Sequence, residues 1–222
     1  MLNAFTSKYE KRCLCVHWVN ENELWASYQD ETIRQFNSKG QLVTSIKLPN
    51  SFGWCLSSID NMVLVGTHSG SLYVINRVKG GILQELDIML GAILCLEVSS
   101  SGVFASGADA RIAFLNKTGN KLNLSLYDRG HSHDTNALQI INSTTLISGG
   151  MNGEICFYNL LESSLLGRLP KTKVRRLHNP SSCLKAEIGE GKPSELRIAF
   201  LKPFSIEIWS LRQSIPQFET QI

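Results

Sequence analysis

The residues best suited to chemistry lie in the segment HSHDTNAL, where His131, His133 and Asp134 fall within four positions. Imidazole nitrogens and carboxylates are zinc ligands, and a strand would place the two histidines on one face. A zinc site needs three or four ligands, however, and the other histidines are scattered singly along the chain. We therefore expect no metal and no other cofactor, and we interpret the segment as part of a turn.

Motifs for catalysis are missing from the sequence. It has no G-x-S-x-G turn for a serine nucleophile, no glycine-rich phosphate loop and no H-E-x-x-H zinc motif. A Ser-His-Asp arrangement remains conceivable in a serine-rich chain, but no spacing points to one. We expect a protein that is not an enzyme and takes no small-molecule substrate.

One basic segment, PKTKVRR, could contact a polyanion. If it is extended, Lys171, Lys173 and Arg175 share a face, with Arg176 beside them. Such a row of charges could meet the phosphates of RNA or an acidic partner surface. The alternative is a solvated segment whose charges discourage pairing between sheet edges. The whole-chain charge of +3 does not decide between them.

An internal repeat of about forty residues organises the chain. Cys15, Cys55 and Cys95 are spaced by forty residues each, inside apolar segments, and TNALQII follows as a fourth copy. A second series, TIRQFN, SLYVIN, RIAFLN, EICFYN and SIEIWS, keeps the same register. Turns rich in small residues separate the segments, as in VGTHSGSL and ISGGMNGEI. The glycine pairs of KGG (79–81) and SGG (148–150) fall where hairpin turns are needed, and we expect them to supply positive φ there.

Each repeat predicts four short strands, because apolar and alternating segments of strand length are separated by Gly, Asn, Asp and Ser turns. A four-strand unit of this period is typical of a WD-repeat β-propeller blade. We therefore predict an all-β propeller of about five blades, at residues 12–50, 51–90, 91–129, 130–171 and 172–222. A closed ring of five blades is one possibility. Since WD-repeat rings commonly hold seven, we expect this chain to be part of a larger propeller, or a shortened one that needs partner strands.

Several residues gain roles from this register. Gly130-His131 would begin the fourth blade, where WD repeats place a Gly-His pair whose histidine bonds a turn aspartate and a Ser or Thr. The matching turn residue is Asn152, which would alter that network, and Asp30 and Asp109 hold the equivalent turn positions in other blades. One residue on the third strand of each repeat would pack between neighbouring blades, namely Phe36, Ile75, Leu115, Tyr158 and Trp209. His133 and Asp134 would lie on a rim where partners could dock.

Composition and cysteine usage bear on the compartment. The six cysteines form no C-x-x-C pair and mostly lie in apolar segments, as expected of reduced, buried thiols. The N-terminal segment lacks the apolar stretch of a signal peptide, and no segment is long enough to span a membrane as a helix. We expect a protein of the cytosol or nucleus without membrane contact.

The order of motifs resembles one family of WD-repeat proteins. The segments ILCLEVSSSGVFASGADARIAFLN, RGHSHDTNALQIINSTTLISGGMNGEICFYNL and LRIAFLKPFSIEIWSL, spread over about residues 50–211, are similar to cirhin-like proteins. Cirhin-like proteins are WD-repeat subunits of the small-subunit processome, in its early t-UTP (UTP-A) subcomplex. They are longer and carry tandem propellers, and WD repeats usually have Asp where this chain has Asn152.

The resemblance implies a nucleolar scaffold in ribosome biogenesis. Such a subunit assembles with other UTP-A-type proteins on nascent pre-rRNA for 18S rRNA processing, in a hetero-oligomeric ribonucleoprotein, with contact to pre-rRNA or snoRNPs. The alternative is a different WD-repeat interaction adaptor, such as a ubiquitin-ligase substrate receptor or a trafficking coat component.

Overall fold

The computed structural model describes residues 10–128, 130–151 and 154–160. Beyond these it describes the backbone of four strands, at residues 164–169, 184–188, 195–202 and 205–212. Residues 126–128 are likewise described by their backbone alone. Within these ranges every regular element is a strand, so there is no described helix that could cross a membrane.

Nineteen strands form five antiparallel sheets, and in each sheet the strands pair in chain order. The first sheet contains β1 (Cys13–Asn20), β2 (Glu23–Tyr28), β3 (Thr32–Asn37) and β4 (Leu42–Lys47). The second contains β5 (Gly53–Ile59), β6 (Met62–Thr67), β7 (Ser71–Asn76) and β8 (Ile82–Asp87). The third contains β9 (Ile93–Val98), β10 (Gly102–Gly107), β11 (Ile112–Thr118) and β12 (Lys121–Asp128).

The fourth sheet contains β13 (Thr135–Ile140), β14 (Thr145–Gly150), β15 (Ile155–Asn159) and β16 (Ser164–Leu169). The fifth is three-stranded in the part that is described, with β17 (Leu184–Ile188), β18 (Glu195–Lys202) and β19 (Ser205–Arg212). These strands follow the alternating and apolar segments from which the sequence predicted four strands per repeat.

Packing between sheets follows the order of the chain. The first strand of each sheet contacts the first strand of the next, from β1 to β5, β9, β13 and β17. The first strands therefore lie innermost and the sheets radiate outward, which confirms the predicted all-β propeller of WD-repeat type. Among the described strands, β1 and β17 make no contact of that extent.

Apolar side chains fill the three boundaries between the first four sheets. Trp25 and Ile33 of the first sheet pack against Val65 and Ile75 of the second, and all four are fully buried. Burying each such side chain contributes roughly 1.5–3 kcal/mol. A sheet is too thin to shield both of its own faces, so each sheet depends on its neighbours for this burial.

The predicted packing of one apolar residue per third strand is confirmed at three of the described positions. Ile75, Leu115 and Tyr158 lie in the clusters between consecutive sheets. Phe36 instead packs with Ala26 and Tyr28 of its own sheet, because its position faces away from the second sheet. The prediction was wrong there.

Glycines close one hairpin as predicted and not the other. Gly80 and Gly81 have φ of 67° and 106° in the β7–β8 turn, a region that glycine enters without steric cost. The SGG segment was expected to form a turn as well. Gly149 and Gly150 instead complete β14, where Gly149 pairs with Ala137 and Ile155, and the turn begins one residue later.

The described cysteines are free, and their burial varies. Cys55 and Cys156 are buried, and burial raises the pKa of Cys55 well above its ordinary value, which keeps the thiol protonated. Cys13 is exposed, so the expectation of burial fails there. It lies at the beginning of β1, where no earlier strand covers it within the described sheet.

Candidate functional site

One end of the propeller gathers most of the residues that the sequence singled out, and we call this end the loop face. It consists of the described residues of the loops that join consecutive sheets (48–52, 88–92 and 130–134) and of the turns between second and third strands (29–31, 68–70, 108–111, 151 and 154). Backbone hydrogen bonds tie these parts together. Met89 N–H donates to Gly70 O at 3.1 Å, and Met151 N–H donates to Asp134 O at 2.8 Å.

His131 lies at the beginning of the fourth sheet and is buried, with 5% of its surface exposed. Its Nε2 is 2.6 Å from Ser148 Oγ on β14, and its Nδ1 is 3.8 Å from Glu154 Oε2. The carboxylate near this histidine thus comes from Glu154, two residues after the turn position at Asn152. Asn152 itself lies outside the described residues. Sequence reasoning missed Glu154, whose signal was an acidic residue directly before β15.

The glycine before this histidine is required by space. A Cβ on Gly130 would lie 1.7 Å from the hydroxyl oxygen of Tyr158, so only glycine lets that ring sit against the loop. Tyr158 is itself buried in the cluster between the third and fourth sheets. Gly130 therefore leaves room for the core tyrosine, and His131 contacts the Ser148 hydroxyl.

Ser148, His131 and Glu154 have the order of a Ser-His-acid triad, in which the imidazole lies between a hydroxyl and a carboxylate. A nucleophilic serine must reach its substrate, and Ser148 is 0% exposed. The three side chains therefore connect β14, the residue before β15 and the loop before β13. In this conformation the buried Ser148 hydroxyl cannot reach a substrate.

His133 is linked to this network through Ser132, whose Oγ is 3.3 Å from Glu154 Oε2. His133 is exposed, with Nδ1 3.1 Å from Ser132 Oγ, and Asp134 is half-buried. Since His131 points into the sheet and His133 lies in solvent, the two do not converge on one ion. Throughout the described residues, no group of three histidine, cysteine or acidic side chains is placed to hold a metal.

Asp109 fixes a turn of the loop face and a loop from the preceding sheet. Its carboxylate accepts hydrogen bonds from Arg111 N–H at 3.1 Å and Arg111 Nε–H at 2.8 Å. It also accepts one from Leu90 N–H at 3.0 Å. Burial acts to raise the pKa of Asp109, but these hydrogen bonds outweigh it and hold the pKa below its ordinary value.

Asp30 has the equivalent place in the first sheet. It accepts a hydrogen bond from Thr32 N–H at 3.1 Å and forms an ion pair with Arg34 at 2.7 Å. Burial acts to raise its pKa, while the Thr32 hydrogen bonds and the Arg34 charge lower it below the ordinary value. Both aspartates hold their turns as ionised groups.

An aromatic cluster on the loop face was not predicted. Phe52 stacks on His68 with ring centroids 5.0 Å apart, and Trp54 Nε1–H donates to His68 Nδ1 at 3.0 Å. Trp54 is 38% exposed at the beginning of the innermost strand β5. The contact joins residues fourteen positions apart in sequence, so only the pairing of β5 with β6 brings them together.

Exposed apolar side chains accompany this cluster. Leu90 is 85% exposed and lies between the turns of the second and third sheets, since its neighbour Met89 bonds Gly70 and its own N–H bonds Asp109. Met151 is 39% exposed beside Asp134. Aromatic and methionine side chains held on a rigid frame are suited to bury against another protein.

Some predicted site residues lie outside what is described. Lys171, Lys173, Arg175 and Arg176 are among them, so their possible contact with RNA or an acidic partner stays a prediction. Trp209 lies on β19, where its backbone pairs with Ile198 and its side chain is not described.

Comparison with known proteins gives a likeness of fold. The structure superposes on a WD-repeat propeller chain in a crystal structure of the mitotic checkpoint complex, with a TM-score of 0.76 and 13% identity. The match covers 94% of this chain and 65% of that one, so this chain spans less than two thirds of its neighbour. No family model and no curated protein matches the sequence. Solved chains with a matching fold number 1285, so the fold alone does not select a function.

Proposed function

We propose that this chain is a non-catalytic WD-repeat scaffold of ribosome biogenesis, which helps to assemble the small-subunit processome on nascent pre-rRNA in the nucleolus. The observation that carries the proposal is the ordered set of cirhin-like motifs. Those motifs fall on consecutive elements: β9 to β11, the His131 loop with β13 to β15, and β18 with β19. A likeness that keeps its order over three sheets is more specific than any one of its segments.

The loop face is the surface through which we propose that it acts. Leu90 is held on backbone that hydrogen bonds to Gly70 and Asp109 fix from both sides, and the Trp54 ring is held by its hydrogen bond to His68. His133 and Asp134 add polar groups at its edge. Apolar anchors with a polar rim are the usual composition of a protein interface, and the expected partners are other UTP-A-type proteins.

Affinity purification of the tagged protein from cells tests this proposal. We expect processome proteins to co-purify, and depletion of the protein to impair 18S rRNA maturation. A variant with Trp54→Ala and Leu90→Ser should lose about tenfold or more in recovery of these proteins, as for anchors at the centre of an interface. Val78→Ser is the matched control, because Val78 is 74% exposed at the opposite end of the propeller.

Two outcomes would refute the proposal. One is purification without processome proteins together with intact 18S rRNA maturation after depletion. The other is co-purification with ubiquitin-ligase adaptors or coat subunits and without nucleolar proteins, which would assign the chain to a different class of WD-repeat adaptor.

A further inference from the structure

The segments that join third to fourth strands in the first three sheets lie at the end opposite the loop face, and we call them the hairpins. They comprise residues 37–41, 76–81 and 116–121, the last of which includes the end of β11 and the first residue of β12. Their charged residues are all basic, namely Lys39, Arg77, Lys79, Lys117 and Lys121. At the loop-face ends of the same strands, Glu31 and Asp87 are acidic and Lys47 is basic. The hairpins thus carry charge of one sign, whereas the other ends of these strands carry charges of both signs.

The hairpins are held in fixed shapes by an asparagine in each of the first two sheets. Asn37 Oδ1 accepts a hydrogen bond from Lys39 N–H at 3.0 Å, and Asn76 Oδ1 accepts one from Lys79 N–H at 2.9 Å. The two asparagines hold equivalent positions, at the ends of β3 and β7. Each therefore holds the backbone of a lysine within the turn that follows its third strand.

Two of the five basic side chains form ion pairs with another sheet. Arg77 forms an ion pair with Glu23 of the first sheet at 3.5 Å, and Lys117 forms one with Asp60 of the second sheet. Both pairs join a hairpin to the preceding sheet. Lys39, Lys79 and Lys121 are exposed, and no acidic side chain pairs with them among the described residues.

We propose that Lys39, Lys79 and Lys121, one on each of three successive sheets, form a basic rim that binds the phosphate backbone of single-stranded RNA. The charges are spread along the propeller at one lysine per sheet, without a carboxylate between them on the hairpins. That spacing suits a long chain with one charge per residue, and single-stranded RNA is flexible enough to follow a curved rim.

The choice of RNA as the polyanion rests on the proposed function, whereas the rim itself rests on the structure. An acidic protein segment is the other polyanion that could bind there. A protein interface usually concentrates its binding energy in apolar anchors at its centre. The lysines here recur instead with the forty-residue period, as a contact to a repeating backbone would require.

Fluorescence anisotropy with a labelled oligouridine tests the rim on the purified full chain. The variant carries Lys39→Gln, Lys79→Gln and Lys121→Gln. The control carries Lys11→Gln, Arg12→Gln and Lys47→Gln, which removes the same charge from exposed positions outside the hairpins. Circular dichroism melting of both variants checks that the fold is kept.

We expect the rim variant to reduce the slope of log affinity against log salt by about 2, since each single-strand phosphate contact contributes about 0.7. Raising the salt concentration from about 50 to 200 mM would then reduce the RNA affinity of the rim variant roughly 16-fold less than that of the natural chain. The control should keep most of the slope.

Equal loss of slope in both variants would overturn the proposal, because binding would then depend on net charge alone. An unchanged slope in the rim variant would also overturn it. So would loss of binding to labelled polyglutamate with RNA binding intact, which would assign the rim to an acidic protein. None of these results depends on processome co-purification, so failure of the rim and failure of the proposed function are distinguishable.

Discussion

Replacing Ser148 by alanine should destabilise the protein through the histidine that it leaves behind. Ser148 Oγ is 2.6 Å from His131 Nε2, and the two residues are 0% and 5% exposed. Water therefore cannot replace the lost partner without opening the sheet. An unsatisfied buried polar group costs about 1–3 kcal/mol, so the free energy of unfolding should fall by that amount. For a chain of this size, the midpoint of thermal unfolding should drop by roughly 2–4 °C per kcal/mol.

Ser106 provides the matched control, because it also lies on the second strand of its sheet and is 0% exposed. Its hydroxyl has no hydrogen-bond partner in the described structure. Ser106→Ala should therefore be neutral or stabilise by up to about 1 kcal/mol, since it removes a buried hydroxyl that makes no bond. The same substitution at the same burial should have opposite effects at the two sites.

Urea denaturation followed by circular dichroism measures both effects, provided that the dependence on denaturant stays the same in all variants. Adding His131→Phe completes a double-mutant cycle, in which we expect a coupling energy of about 1 kcal/mol or more with Ser148→Ala. If Ser106→Ala were as destabilising as Ser148→Ala, packing of the serine would account for both results. The proposed role of the His131–Ser148 bond would then be wrong.

Two further predictions concern a turn and a histidine. Gly70→Ala should lower the free energy of unfolding by about 2 kcal/mol or more, because φ is 92° and the new Cβ would lie 2.2 Å from Met89 O. Ala110→Gly, at the same turn position with φ of 61°, should raise it by about 0.5–1 kcal/mol; destabilisation by both would contradict the argument. Burial holds the pKa of His17 below its ordinary value, beside Ser58 Oγ at 2.9 Å. Its contribution to stability is therefore complete above about pH 6.5 and is lost as the pH falls through the folded pKa. His17→Gln should reduce the difference between the free energies of unfolding measured at about pH 7 and pH 5. An equal pH dependence in the variant would contradict this.

The fold was predictable from the sequence because the residue types within each repeat locally favour strands and turns. Strands begin and end where apolar alternation meets turns of Gly, Asn, Asp and Ser. Each such pattern is weak by itself, but its recurrence about every forty residues strengthens the prediction. The third strands ending at Asn37, Asn76 and Asn159 were predicted to the residue. Phe36 was misplaced because the period shows which face a residue shares, without showing whether a neighbouring sheet covers that face.

The candidate site was less predictable, because its contacts join separate turns. Gly130 and His131 were legible as a pair in sequence. Glu154 and the contact between Trp54 and His68 depend on which loops meet once the strands have paired. The basic hairpins were overlooked for a different reason. Each has only one or two charges, and a cluster such as PKTKVRR draws attention in sequence where a row spread over three sheets does not.

The order of packing between sheets also bears on how the molecule opens. Each described sheet contacts its neighbours in sequence, so the stability of each sheet depends on the sheets beside it, as in a one-dimensional array. The second and third sheets are covered on both faces, by the clusters that contain Ile75, Leu115 and Tyr158. Their amides should therefore exchange with solvent more slowly than those of the first sheet, where cluster packing of the described residues is shared with the second sheet alone.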